Sequence, residues 1–340
     1  MAIGSFMRLV APWAWLGLAR YGIARLTVVV CSAAVAATIF PVIFVTLDFW
    51  LIALCLLVLH LFWSASLPLV EAITLGQIGS MRGGYGRVRL WGSVGFIAAV
   101  VGSGVLLDSA PITTLLWLTW AFLLLTLWAA LRLSENGGRS LLLKSGRSFT
   151  WINRRTLSLV AAGFFMTAAH GALYVFYSIY LFENGYEKSL IGLFWMVGVL
   201  AEIFVFFIWS RLARVFSLRQ LLLISFSLAV MRFYTIGVGV SYFWILLFAQ
   251  LLHGASFGIH HAATMAALAR WLSPQQQSVA QGTYGSLAYG AGGLFGALIA
   301  GWLWSSAGAL AAFGGSSILA LIGLILIWTG IPTENAASAV

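Results

Sequence analysis

Charge is what this chain has least of. Only 18 basic and 8 acidic residues are spread over 340 positions, 8% of the total, where a soluble domain carries about 25%. That scarcity excludes a water-soluble enzyme and a charge-rich disordered chain. Cysteine is almost missing too. Cys31 and Cys55 both lie inside apolar runs, so the disulfide framework of a secreted domain is excluded. Several catalytic signatures are also lacking. Neither Lys144-Ser145 nor Lys188-Ser189 follows the glycines of a Walker A loop, which argues against ATP-driven pumping by this chain alone. There is no Gly-x-Ser-x-Gly elbow, no His-Glu-x-x-His and no paired aspartate motif, so an intramembrane enzyme is a weak reading.

What the chain has instead is apolar surface: 62% hydrophobic residues and a mean hydropathy of +1.03. A helix crosses the hydrocarbon core with about 20 mostly apolar residues. Such runs lie near 26–47, 49–75, 90–107, 112–131, 157–181, 189–210, 220–240, 242–269, 282–304 and 308–330, and a shorter apolar stretch, 1–19, precedes them. Their continuity argues for helices rather than the period-two strands of a barrel. The expected fold is all-α, a polytopic membrane protein with about 11 transmembrane helices. A long polar and basic connection sets the domain boundaries: an N-terminal bundle over 1–132, a central loop over 133–156 and a C-terminal bundle over 157–340.

The excess of basic residues is explained by where they sit. Fifteen of the 18 fall in alternate loops, from Arg20 and Arg25 through the central loop to Arg211, Arg214, Arg219 and Arg270, while the intervening loops hold only Lys188 among several acidic residues. This bias puts the central loop and the C-terminus in the cytoplasm. It makes the bilayer, not nucleic acid, the expected partner.

The two halves echo each other. Leu18-Ala19-Arg20 through Arg25 matches Leu212-Ala213-Arg214 through Arg219. At the same offset Trp15 falls on Trp209, Gly4 on Gly198 and Arg8 on Glu202. One residue off that register, His60 falls on His253, and Trp91-Gly92-Ser93 on Tyr284-Gly285-Ser286. Repeats in order on either side of a central loop favour two parallel halves. Arg8 followed by apolar 9–19 also fits a signal peptide, but the repeat ties Arg8, Trp15 and Arg20 to counterparts that cannot belong to one.

At these residues the chain resembles the major facilitator superfamily, whose loop signature the Arg20–Arg25 and Arg214–Arg219 segments resemble in degenerate form. It is most similar to the phenylpropionate-permease branch of proton symporters. The resemblance is carried by Tyr85-Gly86-Arg87-Val88-Arg89-Leu90-Trp91-Gly92-Ser93, His170-Gly171-Ala172-Leu173-Tyr174, Ala201-Glu202, His253-Gly254 and His261-Ala262-Ala263. Two departures matter. Ala19 and Ala213 stand where the signature has aspartate. The family's first of twelve spans is also expected to be absent, with residues 1–18 matching most of the second.

The resemblance implies a two-bundle secondary transporter of the inner membrane, acting as a monomer without cofactor or metal. It would carry a small organic solute such as an aromatic carboxylate together with protons. A remnant transporter or a sensor is the alternative. Arg20, Arg25, Arg214 and Arg219 would form the cytoplasmic gating loops.

Charges inside a bilayer are costly and normally face a partner or a wet cavity. Arg8, Glu71, Glu202 and Arg232 are of this kind. Arg8 and Glu202 are expected to face a central cavity, Glu202 carrying the coupling proton and Arg8 holding a substrate carboxylate or serving as counter-charge. His60, Ser64 and Glu71 share one helical face, and Gln250, His253, His261 and Thr264 another. His253 and His261, and His170 with Tyr174, are further candidates for the substrate and proton site. His60 and His260 read as packing residues. Arg232 lies toward the outer end of its span and reads as a snorkelling side chain with a possible substrate role. Small residues repeat at Ala288, Gly292, Gly296 and Ala300, and at Gly95, Ala99 and Ser103. Such stripes let helices approach closely; in a facilitator these spans would lie between the halves, and plain tight packing fits the pattern equally well.

Overall fold

The computed structural model describes residues 1–19, 23–78, 84–134 and 151–333. The described residues contain helices and no strand. The helices are α1 (Ala2–Ala19), α2 (Arg25–Ile39), α3 (Val42–Val45), α4 (Phe49–Ile78), α5 (Gly84–Ser109), α6 (Thr114–Arg132), α7 (Arg154–Ala169), α8 (Gly171–Glu183), α9 (Lys188–Val215), α10 (Leu218–Gly239), α11 (Phe243–His253), α12 (Ile259–Trp271), α13 (Pro274–Tyr284) and α14 (Gly293–Gly330). Two wider π-type turns, Gly254–Gly258 and Gly285–Gly292, join α11 to α12 and α13 to α14.

Nine helical runs among the described residues are long and apolar enough to cross a membrane. The last, Val279–Gly330, has 52 residues and a length of about 78 Å at 1.5 Å per residue, more than twice the hydrocarbon thickness of about 30 Å. It is broken at Gly308, whose φ of 79° no ordinary helix accepts. The break separates the expected spans 282–304 and 308–330. A second break was not foreseen. The span expected at 157–181 is interrupted at His170, which ends α7 and precedes α8.

The chain clusters into two compact units. One comprises Ile3–Ala99 and Val105–Lys144; the other comprises Met1–Ala2, Val100–Gly104 and Ser145–Val340. In the first, α2 packs on α4 and α6 through small side chains. Ala36 and Ala37 are buried with Phe40, Leu59 and Leu123, and Ala33 with Val29, Ile73 and Ala130. Trp120 Nε1 donates to the carbonyl of Ala37 at 3.0 Å, fixing α6 to α2.

The second unit has one continuous core built on α7, α10 and α14. Its helix starts are written locally. Asn153 with Thr156 and Ser217 with Gln220 form reciprocal capping boxes. The small-residue stripe is used inside this unit: a side chain at Gly292 would meet the carbonyl of Phe164, and one at Gly296 that of Ala168. Of the two readings of this stripe, close packing is the one these contacts show. Its glycines seat α14 and the turn before it against α7. At the other stripe, Gly95 has open space around it.

Candidate functional site

The polar groups of the second unit converge on a buried cluster. His170 ends α7 with its ring fully buried, and its Nδ1 shares a 2.8 Å hydrogen bond with the Met166 carbonyl. The ring lies 6.0 Å from His253, 5.7 Å from Tyr174 and 4.9 Å from Phe233. Arg232, from α10, is fully buried as well. Its Nε donates to the carbonyl of Ala249 at 2.9 Å and one Nη to Gln250 Oε1 at 3.3 Å. The snorkelling expected of Arg232 is thus corrected: the guanidinium turns into the bundle, because α11 offers a carbonyl and an amide there.

The cluster is under-satisfied. Arg232 Nη1, Gln250 Nε2, His170 Nε2 and His253 Nδ1 are buried without a hydrogen-bond partner, and the Tyr177 hydroxyl sits beside Gln250 outside hydrogen-bonding geometry. Buried polar groups normally find partners, and each orphan costs about 1–3 kcal/mol. Five in one place make this cluster the candidate site of the unit. Two of them, on Arg232 and Gln250, are obligate donors and so suit an anion.

Next to this cluster stands an acid–base pair. Glu202, on α9 and partly buried, places Oε2 3.9 Å from His253 Nε2. The ring of His253 is parallel to Phe257, and Phe257 to His261, with centroids 5.5 and 6.5 Å apart. The ladder runs across the π-type turn, a feature frequent at functional sites. His261 closes it by sharing a 3.1 Å hydrogen bond with the Tyr289 hydroxyl. His260 behaves as the packing residue expected, sharing a 2.9 Å bond with Tyr284.

The aromatic side of the site is ordered. Tyr174 is 39% exposed and its ring is parallel to Trp195 within 8°, at 6.3 Å. Trp195 Nε1 donates to Ser178 Oγ at 3.0 Å, and the Trp195 ring meets Tyr177 edge-on at 5.5 Å. Tyr177 and Trp195 were not singled out from the sequence. Tyr177 was signalled by its spacing, three residues after Tyr174 and seven after His170 on one helical face.

The remaining candidates lie elsewhere. Arg8 is exposed on α1, while Glu71 on α4 and Arg25 at the start of α2 are half-buried, all in the first unit. There Ser64 bonds back to Leu61, and His60 packs against Gly4. Arg20 lies outside the described residues. Arg214 bonds to Ser210 of its own helix. Arg219 donates to the Trp328 carbonyl at 2.9 Å and Arg154 to Thr329 at 3.0 Å, so both cap the end of α14. Outside the spans, the Tyr186 hydroxyl donates to Val240 at 2.8 Å, and burial raises its pKa above the ordinary phenol value. No group of three or more His, Cys, Asp or Glu side chains among the described residues is placed to hold a metal ion.

A multi-pass helical membrane protein with a buried polar site under one open aromatic side is the class these features define. The family model described as the MFS_1 like family matches residues 1–314, and the chain belongs to that family of major facilitator transporters. It is 31% identical over 267 residues to the "Probable 3-phenylpropionic acid transporter" of Escherichia coli K12, covering 76% of this chain and 69% of that protein. It is 25% identical over 303 residues to the maltose permease of Geobacillus stearothermophilus, covering 87% and 76%. Among solved structures, the nucleoside transporter NupG superposes with a TM-score of 0.81 at 15% identity, covering 98% of this chain and 90% of that one. The likeness to NupG is one of fold.

Proposed function

We propose that the protein is a proton-coupled symporter of small organic carboxylates, foremost an aromatic carboxylate, working by alternating access as a monomer in the inner membrane with its C-terminus in the cytoplasm. The observation that carries this reading is the Arg232 guanidinium, fully buried with one Nη unpartnered beside the unpartnered amide nitrogen of Gln250. A cation inside a bilayer is retained where it meets a counter-charge, and among the described residues no carboxylate lies within ion-pair distance of Arg232. A substrate carboxylate completes that set, accepting from Arg232 and Gln250 in the strong charge-assisted manner. The name of the Escherichia coli relative, a probable transporter of 3-phenylpropionic acid, supports the same substrate class.

Glu202 and His253 form the proton-carrying pair in this reading, and His170, Tyr174 and His261 line the route between proton and solute. Arg8 and Glu71 supply charges in the other unit. Arg20, Arg25 and Arg214 belong to the cytoplasmic gating loops, with Arg219 bracing α14 beside them. The deciding experiment is uptake of labelled 3-phenylpropionate into proteoliposomes with and without an inward proton gradient. Gradient-dependent accumulation that disappears with Arg232→Gln is the expected result. Uptake indifferent to the gradient overturns the coupling, and no uptake of any carboxylate overturns the substrate class.

A further inference from the structure

The polar cluster accounts for one end of a carboxylate solute and leaves the other end unassigned. Around it the exposure changes in a definite direction. His170, Tyr177 and Arg232 are fully buried, whereas Tyr174, one helical turn from His170, is 39% exposed. Ser178, a further turn along, is exposed too, and the half-buried Trp195 is bonded to it. The buried groups lead to these rings: His170 meets Tyr174 at 5.7 Å, and Tyr177 meets Trp195 at 5.5 Å.

We propose that Trp195 and Tyr174 form the wall that recognises an aryl ring, and that Ser178 is a positioning residue that fixes its orientation. The inference rests on the carboxylate reading above. The two rings come from different helices, α8 and α9, yet their planes agree within 8°. Two further contacts hold that agreement. The indole nitrogen is tied to Ser178 Oγ at 3.0 Å, and the edge of the Trp195 ring system rests on Tyr177 at 89°. Parallel faces suit a planar aromatic ligand, since offset stacking adds to the gain from area burial. A saturated ring of the same size gains the burial but not the stacking. Ser178 sits four residues after Tyr174 and so lies on the same face of α8. One face thus carries a ring of the wall and the hydroxyl that orients the other.

The test compares 3-phenylpropionate with 3-cyclohexylpropionate, and the neutral alcohols 3-phenylpropanol and 3-cyclohexylpropanol, by calorimetric titration of the purified full-length protein. The wild type is expected to prefer the phenyl acid by about five- to tenfold, even though the cyclohexyl ring is the more hydrophobic. Trp195→Leu brings that ratio close to one, and Trp195→Phe keeps much of it. Ser178→Ala lowers the ratio and Ser178→Thr restores it, which a merely structural role does not predict. An equal ratio in the wild type and Trp195→Leu overturns the wall, as does the lack of any phenyl preference in both pairs. A ratio unmoved by Ser178→Ala overturns the positioning role. If neither acid binds while the alcohols still show a Trp195-dependent phenyl preference, the carboxylate reading fails and the wall stands.

Discussion

Glu202 and His253 meet with Oε2 and Nε2 3.9 Å apart, and the approach depends on the residue that follows the histidine. Any side chain at position 254 would collide with the carbonyl of Ala201, immediately before Glu202. Gly254 also opens the π-type turn. Gly254→Ala is therefore expected to separate α9 from α11. Overpacking of this kind costs about 1–3 kcal/mol. It should lower the thermal unfolding midpoint together with gradient-driven uptake. Unaltered uptake in a destabilised variant would detach the close approach from coupling.

Replacing Glu202 by Gln keeps the shape of the side chain and removes its proton. If the proton is the co-substrate proposed above, uptake by the wild type should rise as the external pH falls. Glu202→Gln should flatten that pH profile and lower gradient-driven accumulation at least tenfold, while exchange of labelled for unlabelled solute falls much less. A pH profile that keeps its slope in the variant would assign the proton to another group.

The surroundings of His253 show how far the sequence could be read. The repeat placed Gly4 on Gly198 and His60 on His253, and each unit packs its own pair together: a side chain on Gly4 would meet the His60 ring at 3.0 Å, and one on Gly198 would come within 3.4 Å of His253. The all-helical membrane class and the break near 308 were legible because hydropathy and helix length are local quantities. The direction a side chain takes around its helix is not. Arg232 was misread since its place along the span is the same whether it snorkels or turns inward, and only the neighbouring carbonyl of Ala249 and amide of Gln250 decide. Trp195 and Tyr177 stayed hidden among 50 aromatic residues. The small-residue stripe was visible, but its partner, α7, was not, because spacing records closeness without naming the neighbour.

Arg232 should trade stability against transport. A buried cation carries a desolvation cost of several kcal/mol, and its hydrogen bonds, one of them at 3.3 Å, return only part of it. Arg232→Met is expected to leave the unfolding midpoint unchanged or to raise it, while abolishing carboxylate binding. Arg232→Lys keeps the charge but not the planar fork that meets a carboxylate with two bonds, so it should retain a weakened affinity. A midpoint several degrees lower in Arg232→Met would make the guanidinium a structural group.

Arg219 and Arg154 place cations on the last carbonyls of α14, where the helix dipole is negative. Both hydrogen bonds are solvent-accessible, which limits their worth to about 1 kcal/mol or less each. Arg219→Ala should lower the unfolding midpoint slightly, and the double variant with Arg154→Ala should lower it further. Because the two bonds go to adjacent carbonyls, the double change should be non-additive. If Arg219 also gates, the transport rate will fall by more than the loss of folded protein accounts for, which uptake normalised to folded protein measures.

Gly163 carries the last prediction. A side chain there would strike the ring of Tyr284, whose hydroxyl shares the 2.9 Å bond with His260 and whose backbone opens the π-type turn Gly285–Gly292. Both His260 and Tyr284 are buried to within 1%, so neither finds water if they part. Gly163→Ala combines overpacking with two unsatisfied polar atoms, and a loss of about 2–4 kcal/mol is expected. Tyr284→Phe separates the two effects. It removes the hydroxyl alone and leaves His260 Nε2 orphaned, at about 1–3 kcal/mol. In Gly163→Ala/Tyr284→Phe the ring clash remains while the bond is already gone, so the double variant should lose less than the sum of the single losses. Full additivity in thermal unfolding would mean that the Gly163 side of the ring and the His260 bond act independently.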